Sequence, residues 1–347
     1  MKIMADRISV GLVGAGYWGQ KLLPKFLADP NGYVRAVCDI QPGNRSAVCQ
    51  CFSELAVTDD YEALLLDRQL NAVVIATPPA SHYALARRAL LAGKHVWIEK
   101  PLALDLEEGR ELVRLGEERG LTLFVDHTFL YDPAVQKIRQ LIVSNEIGDV
   151  RHLFLQRLNL GRIKRDSNVW WNSAPHDVSM ILYLLGARPK KIALHGYRYL
   201  QPHLEDLNMA VVEMTDGASA FIYHNWLYPE NSAKLTVVGD RRLLTYEGKF
   251  DKRCVTLFDY CVDRSDGNGL LASELPTTMP SKLLAERRLE GIYDAEPLAQ
   301  AVADFLGSIR ERRAPMSDGK FSLDVLAVLQ AGDQSLHDDG AKVAVRY

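Results

Sequence analysis

The chain of 347 residues carries 44 acidic and 41 basic side chains, a formal net charge of −3. That near-balance excludes a bulk attraction to nucleic acid or to an anionic membrane surface and leaves only local anion sites to be sought. With 48% hydrophobic residues, the length suffices for two domains, each with its own core. No apolar run reaches the ~20 residues that cross a membrane, and the segment before the first strand lacks the apolar stretch of a secretory leader, so a cytoplasmic location is expected. The five cysteines form no Cys-x-x-Cys pair, and Cys49 and Cys51 would point to different faces of a helix. No metal site is expected, because the histidines show no ligand spacing either.

The apolar run Ile8 to Val13 leads into Gly14-Ala-Gly16-Tyr17-Trp18-Gly19. A buried strand that ends in a glycine turn of this spacing permits close approach of a pyrophosphate to backbone N–H groups at a helix N-terminus. A second apolar run, Tyr33 to Cys38, stops at Asp39, about twenty residues past the last glycine, where a carboxylate can accept hydrogen bonds from a ribose diol. This is the pattern of a dinucleotide site. Asp39 would repel a 2′-phosphate, and the nearest arginine is Arg45, so NAD is expected over NADP.

A polar helix from about Gly43 and a helix capped by Asp59-Asp60 come next, then the strand Asn71 to Thr77, apolar without alternation and therefore buried on both faces. It ends at Thr77-Pro78-Pro79, after which Ser81 is placed to cap the helix His82 to Leu91. The strand His95 to Ile98 runs into Glu99-Lys100-Pro101. Helix Asp105 to Arg119, strand Leu121 to Val125 and helix Tyr131 to Val143 continue the alternation, which reads as a doubly wound parallel sheet.

The pattern changes near Gly148. Strand-like runs follow one another over Val150–Leu160, Lys191–Leu200, Asn208–Met214, Ala218–Trp226, Ala233–Val238 and Arg242–Glu247, with a helix over Ser173–Leu185 and a hairpin signal at Thr215-Asp216-Gly217. This half reads as α+β, with a large, mainly antiparallel open sheet. Asp263 to Pro280 reads as an exposed, turn-rich excursion. Helices over Glu296–Arg312 and Leu323–Leu336 close the chain. The expected division is a Rossmann domain over residues 1–127 and a substrate-binding and oligomerisation domain over 128–347, with the last helices packing back on the first domain.

Ligands of an open parallel sheet bind beyond the carboxyl ends of its strands, which nominates the glycine turn, Thr77-Pro-Pro79, Glu99-Lys100-Pro101 and Asp126-His127. Lys100 would project a cation into the crevice, able to stabilise an alkoxide or polarise a carbonyl, or simply pair with Glu99. Pro175 would stand in the first turn of the next helix, with Asn172 and His176 four residues apart, and His176 is a candidate acid or base. Arg157, Arg162, Lys164 and Arg165 form a basic run that could clamp phosphate or lie in solvent.

Together these residues resemble the glucose-fructose oxidoreductase, inositol dehydrogenase and rhizopine-catabolism family. The resemblance rests on the dinucleotide turn, Thr77-Pro-Pro with His82, Glu99-Lys100-Pro101, the Asn172-to-His176 spacing and the two closing helices. It implies an NAD-dependent oxidoreductase acting on a secondary alcohol or ketone of a sugar, sugar phosphate, nucleotide sugar or cyclitol. Lys100 and His176 would act at the reacting carbon, with Asn172, Arg157, Arg162, Arg165 and Asp177 binding substrate. Gly14, Gly16, Tyr17, Trp18, Gly19, Asp39, Thr77, Pro78, His82, Glu99 and Lys100 would hold the cofactor. Relatives commonly carry aspartate where this chain has Asn172, and an amide cannot take the proton that a carboxylate can. The alternatives are the NAD-using glycosidase chemistry of one branch and a non-catalytic dinucleotide-binding regulator. The open sheet face suggests a homodimer or homotetramer.

Overall fold

The computed structural model describes residues 7–160, 163–248, 253–262, 281–292 and 295–347. In chain order the first half comprises β1 (Ile8–Val13), α1 (Gly19–Ala28), β2 (Gly32–Cys38), α2 (Pro42–Cys51), β3 (Ala56–Thr58), α3 (Tyr61–Leu66), β4 (Ala72–Ile75), α4 (His82–Leu91), β5 (His95–Ile98), α5 (Leu106–Arg119), β6 (Leu123–Val125) and α6 (Pro133–Val143). The second half comprises β7 (Val150–Leu158), α7 (Val169–Leu185), β8 (Pro189–Tyr197), β9 (Leu207–Met214), β10 (Ser219–Asn225), β11 (Ser232–Gly239), β12 (Arg242–Glu247), β13 (Cys254–Val262), β14 (Ser281–Leu289), α8 (Pro297–Glu311), α9 (Gly319–His337) and β15 (Val343–Ala344).

The first six strands form one sheet in the order β3-β2-β1-β4-β5-β6, with every pair parallel. The order reverses between β1 and β4, so the crevice beyond their carboxyl ends is the switch point where ligands of such sheets bind. All four residues of β4 are buried, because helices cover both faces. Beneath α1, Trp97 stacks on Phe124 with ring centroids 4.2 Å apart, and Phe305 of α8 closes edge-on against Trp97 at 5.6 Å. The penultimate helix is thus part of the first sheet's core.

The remaining strands form a nine-stranded sheet, β14-β13-β12-β11-β7-β10-β9-β8-β15, in which β7 and β10 are parallel and all other pairs antiparallel. Residues on β9 alternate between buried and exposed, as expected of a sheet covered on one side. Its inward residues pack with α6, α7 and α9 around Trp170, whose indole N–H donates to the Leu329 carbonyl at 2.9 Å. That bond pins α7 to α9.

Local boundaries differ from the sequence reading at three places. The helix α7 begins at Val169 and not at Ser173, because the side chain of Asn168 caps it by accepting from Trp171 N at 3.1 Å, so Pro175 lies inside the helix. Ser81 caps nothing. Its hydroxyl instead donates within the preceding turn, 2.7 Å from Thr77 Oγ1 and 2.8 Å from the Pro78 carbonyl. The strands β13 and β14 were not foreseen. The expected excursion over Asp263 to Pro280 lies outside the described residues.

Candidate active site

The glycine turn joins β1 to α1 with geometry that only glycine serves. Gly14 has φ +92°, and a Cβ there would lie 2.8 Å from the carbonyl of Ala76; a Cβ on Gly19 would stand 1.9 Å from Gly14 O. The first glycine therefore lets the turn lie against Ala76 and Thr77 at the end of β4, and the third seats α1 on its strand. Nothing lies within 4 Å of a Cβ placed on Gly16, so the middle of the turn opens into the crevice. Asp39, at the end of β2, is buried and reaches into the same turn. Its Oδ2 accepts from Ala15 N at 2.7 Å and from Asn44 Nδ2 at 3.0 Å, and its Oδ1 accepts from Gln41 N at 2.7 Å. Arg45 donates to the Asp39 carbonyl at 2.8 Å and pairs with Asp59 at 3.2 Å, which commits that guanidinium to the protein. An open cradle of backbone N–H groups at a helix N-terminus fits a dinucleotide.

The second wall comes from the ends of β5 and β6. Lys100 Nζ donates to the backbone carbonyl of Asn172 at 2.7 Å, so the lysine bridges from the parallel sheet to α7 and keeps two further N–H donors. Desolvation in the crevice, opposed by Glu99 and reinforced by the nearby cations Lys164 and Arg157, lowers its pKa to about 8. Beside it, burial raises Glu99 well above the ordinary carboxyl range, with Asp126 adding to the effect. Asp126 itself is pushed up to about 6 by burial, against a hydrogen bond from Thr128 Oγ1 of 2.8 Å. His127 is buried with neither ring nitrogen hydrogen-bonded, and burial followed by repulsion from Lys100 drops its pKa to about 3.

The third wall is α7. His176 packs edge-on against Phe129, ring centroids 5.1 Å apart, and its Nδ1 has no partner. Burial first, then the charges of Lys100 and Arg157, hold it well below the usual histidine pKa, so it is neutral at pH 7. Arg157, from β7, lays its guanidinium over the same ring, 4.3 Å from the Phe129 centroid. Lys100, His176 and Arg157 thus converge at one end of the crevice.

Residues 8–127 match the model for the oxidoreductase family with an NAD-binding Rossmann fold, and residues 135–245 match the GFO/IDH/MocA C-terminal domain. The chain belongs to the Gfo/Idh/MocA oxidoreductase family. It is 26% identical over 321 residues to the UDP-N-acetylglucosamine 3-dehydrogenase of Acidithiobacillus ferrooxidans, covering 91% of this chain and 93% of the relative. The solved structure of that enzyme superposes with a TM-score of 0.80 at 23% identity, covering 96% of this chain and 99% of the other. Levoglucosan dehydrogenase in complex with NADH superposes with a TM-score of 0.81 at 18% identity, over 98% and 99% of the two chains. Both structural likenesses speak to the fold. A shorter match, 38% identical over 134 residues and 39% of either chain, links it to the dTDP-3,4-didehydro-2,6-dideoxy-alpha-D-glucose 3-reductase of Streptomyces violaceoruber. The chain matches only 39% of that relative's length and 55% of the uncharacterized oxidoreductase YdgJ of Escherichia coli.

Set in this family frame, the foreseen residues separate into groups. Gly14 lies against Thr77 at the end of β4 and Asp39 reaches into the same turn, while Lys100 reaches the Asn172 carbonyl and, with Arg157, lies close enough to add to the effect of burial in depressing the His176 pKa. Trp18 lies beside Glu99, and Tyr17 is exposed, accepting from Lys21 Nζ at 2.8 Å. His82 lies behind the Thr77-Pro78 turn. It is fully buried, with Nδ1 2.8 Å from the Pro101 carbonyl and Nε2 2.9 Å from the Thr77 carbonyl, so it ties two site loops together from behind. Asp177 is buried as well: its Oδ1 accepts from Arg157 Nε and its Oδ2 lies against His224 Nε2, both at 2.8 Å. Arg165 is exposed, and Arg162 lies outside the described residues. Phe129 carries no signal in the sequence, where His224 is only one of the scattered histidines without ligand spacing. The signal for His224 was its place two residues after Ile222 on an alternating strand, an inward position otherwise apolar. Among the described residues, no group of three or more His, Cys, Asp or Glu is placed to hold a metal ion, and no helix is long and apolar enough to cross a membrane.

Proposed function

We propose that this chain is an NAD-dependent oxidoreductase acting at a ring secondary alcohol or ketone of a sugar that carries a phosphate or nucleoside diphosphate. The observation that carries the reading is the convergence of Lys100, His176 and Arg157 opposite the glycine turn, with Lys164 close enough to depress Lys100 further. The nicotinamide, when bound, supplies or takes the hydride. Lys100, anchored to the Asn172 carbonyl, directs its remaining N–H donors at the oxygen of the reacting carbon. In ketone reduction its ammonium stabilises the developing alkoxide and delivers the proton. In alcohol oxidation the neutral amine of Lys100, or neutral His176, takes that proton. Asn172 contributes a carbonyl and an amide but no titrating group, so the proton inventory rests on Lys100 and His176.

The case for an anionic substrate is electrostatic. Beyond desolvation, Lys164 and Arg157 both lie close enough to Lys100 to lower its pKa, against Glu99 and Asp126, so three cations stand around this end of the crevice, of which Arg157 is paired with Asp177. The two relatives with nucleotide-linked names fit this reading. Asp39 and the engaged Arg45 favour NAD over NADP. A panel of neutral sugars, inositols, sugar phosphates and nucleotide sugars, followed by NADH absorbance with both cofactors, tests the reading. Turnover confined to neutral sugars would remove the anionic assignment, and no turnover with any member would remove the oxidoreductase assignment.

A further inference from the structure

Behind the crevice a buried polar row crosses the large sheet where apolar side chains would otherwise pack. Arg157 of β7 and His224 of β10 are direct cross-strand partners, and His224 is in turn directly opposite Asn208 of β9. All three side chains therefore stand on the face that α7 covers. Asp177 of α7 drops onto this row and joins its members, 2.8 Å from Arg157 Nε through one oxygen and 2.8 Å from His224 Nε2 through the other. His224 and Asn208 are completely buried, and Asp177 is 1% exposed.

The protonation states follow from the charges. Burial alone would raise Asp177, but Arg157 and the hydrogen bond with His224 outweigh it and hold the group below its ordinary value, as a carboxylate. A carboxylate only accepts, so His224 Nε2 carries the hydrogen and Nδ1 is a bare acceptor. Nδ1 has no partner, and neither do the amide atoms of Asn208 across the strand, whose N–H donors match that need. The bonded row is thus His224, Asp177 and Arg157, with His224 Nε2 donating to one Asp177 oxygen and Arg157 Nε to the other, while Asn208 stands opposite His224 without bonding to it.

The exit of this row is the crevice. Arg157 spends Nε on Asp177, its side chain is 17% exposed, and it rests on Phe129, the ring that also supports His176. A long arginine side chain beside a reacting carbon would otherwise sample many rotamers; held at Nε and over an aromatic face, it presents its terminal nitrogens in one orientation. We propose that His224 is a positioning residue, which through Asp177 aims the Arg157 guanidinium at a substrate oxygen beside His176. A substrate phosphate or carboxylate oxygen suits a fork whose own charge is already balanced, through directed charge-assisted hydrogen bonds rather than net charge. The inference rests on the active site proposed above.

The test compares His224→Leu with His224→Gln, because a glutamine amide can place an N–H near the position of His Nε2 and a leucine cannot. His224→Leu is expected to raise the KM for the best nucleotide sugar or sugar phosphate about tenfold, to change kcat less than about threefold and to leave the Kd for NAD unaltered, while His224→Gln restores most of the KM. A glutamine variant as impaired as the leucine variant, or a loss confined to kcat, overturns the proposal. A second readout needs no substrate: exchange of the Arg157 Nε–H with solvent, followed by NMR in the full-length protein, with Asp177→Asn available should the leucine variant not fold. Slow exchange in the parent and in His224→Gln with fast exchange in His224→Leu or Asp177→Asn supports the relay. Equal exchange in all of them overturns it, even where the parent turns over no sugar and the oxidoreductase reading has failed separately.

Discussion

Replacing Lys100 by methionine removes the ammonium and keeps most of the apolar volume, so the loss reports chemistry more than packing. In the structure Lys100 gives one N–H to the Asn172 carbonyl at 2.7 Å and retains two further donors. A donor of this kind, aimed at developing negative charge in a desolvated site, is worth on the order of 10²–10³ in turnover, or about 2.7–4 kcal/mol. The variant should lose that much kcat while its Kd for NAD stays within about twofold. The pH dependence gives a second handle. With a pKa of about 8, some nine-tenths of Lys100 is protonated at pH 7, by about one unit of margin. Ketone reduction requires the ammonium, so kcat/KM in that direction should be flat below pH 7 and fall about tenfold per unit above 8. Alcohol oxidation with Lys100 as the base requires its neutral amine and should rise through the same limb, whereas oxidation through His176, already neutral, would show no such rise. Steady-state rates in both directions from pH 6 to 10 (roughly the span that brackets the limb), for the parent and the variant, decide the matter. Near-normal turnover of Lys100→Met, or a variant that keeps the parent's limb, would refute the assignment of Lys100 to the reacting oxygen.

Three further outcomes follow from the geometry. Asp39→Ala should narrow the preference for NAD over NADP by at least about tenfold, because the carboxylate that repels a 2′-phosphate is gone; unchanged ratios of the two dissociation constants would place the discrimination elsewhere. Gly19→Ala puts a Cβ 1.9 Å from Gly14 O, and the forced shift should cost about 1–3 kcal/mol by denaturant unfolding, together with NAD affinity; wild-type stability would show that the turn is looser than its contacts indicate. Lys164→Ala should raise KM for a phosphorylated sugar about threefold, an exposed charge being largely screened, and leave a neutral sugar unaffected; equal effects on both would assign Lys164 to the loop itself.

Much of the first sheet was readable because parallel strands buried on both faces announce themselves as unbroken apolar runs, as at Ala72–Ile75, and because the glycine turn has few other uses. The strand β14 was not readable. Its sequence Ser281 to Leu289 is rich in Lys, Arg, Glu and Ala, residues without strand preference, and it is held extended by pairing with β13 at the sheet edge. Lys100 and His176 were recoverable as strand-end and helix residues, yet their electrostatic states were not, since these depend on Arg157, His127 and Lys164 arriving from distant elements. The inward placement of His82 and Asp177 has one cause that the sequence did not display. Each follows or adjoins a site motif in sequence, and in each case the helix turns the side chain inward, where buried carbonyls or a buried guanidinium claim it.

The central claim is direct transfer between the nicotinamide and a ring carbon of the substrate, and isotope transfer tests it most directly. NADH deuterated at C4 is incubated with the ketone form of the best substrate from the panel, and the product is read by NMR and mass spectrometry. The account predicts one deuterium on the carbinol carbon, one NAD formed per alcohol, and loss of both signals in Lys100→Met. Deuterium retained in NADH while a sugar is released or solvent hydrogen exchanges next to the carbonyl would contradict it, in favour of transient oxidation with elimination. Tight NADH binding without any transfer would contradict it in favour of a regulator.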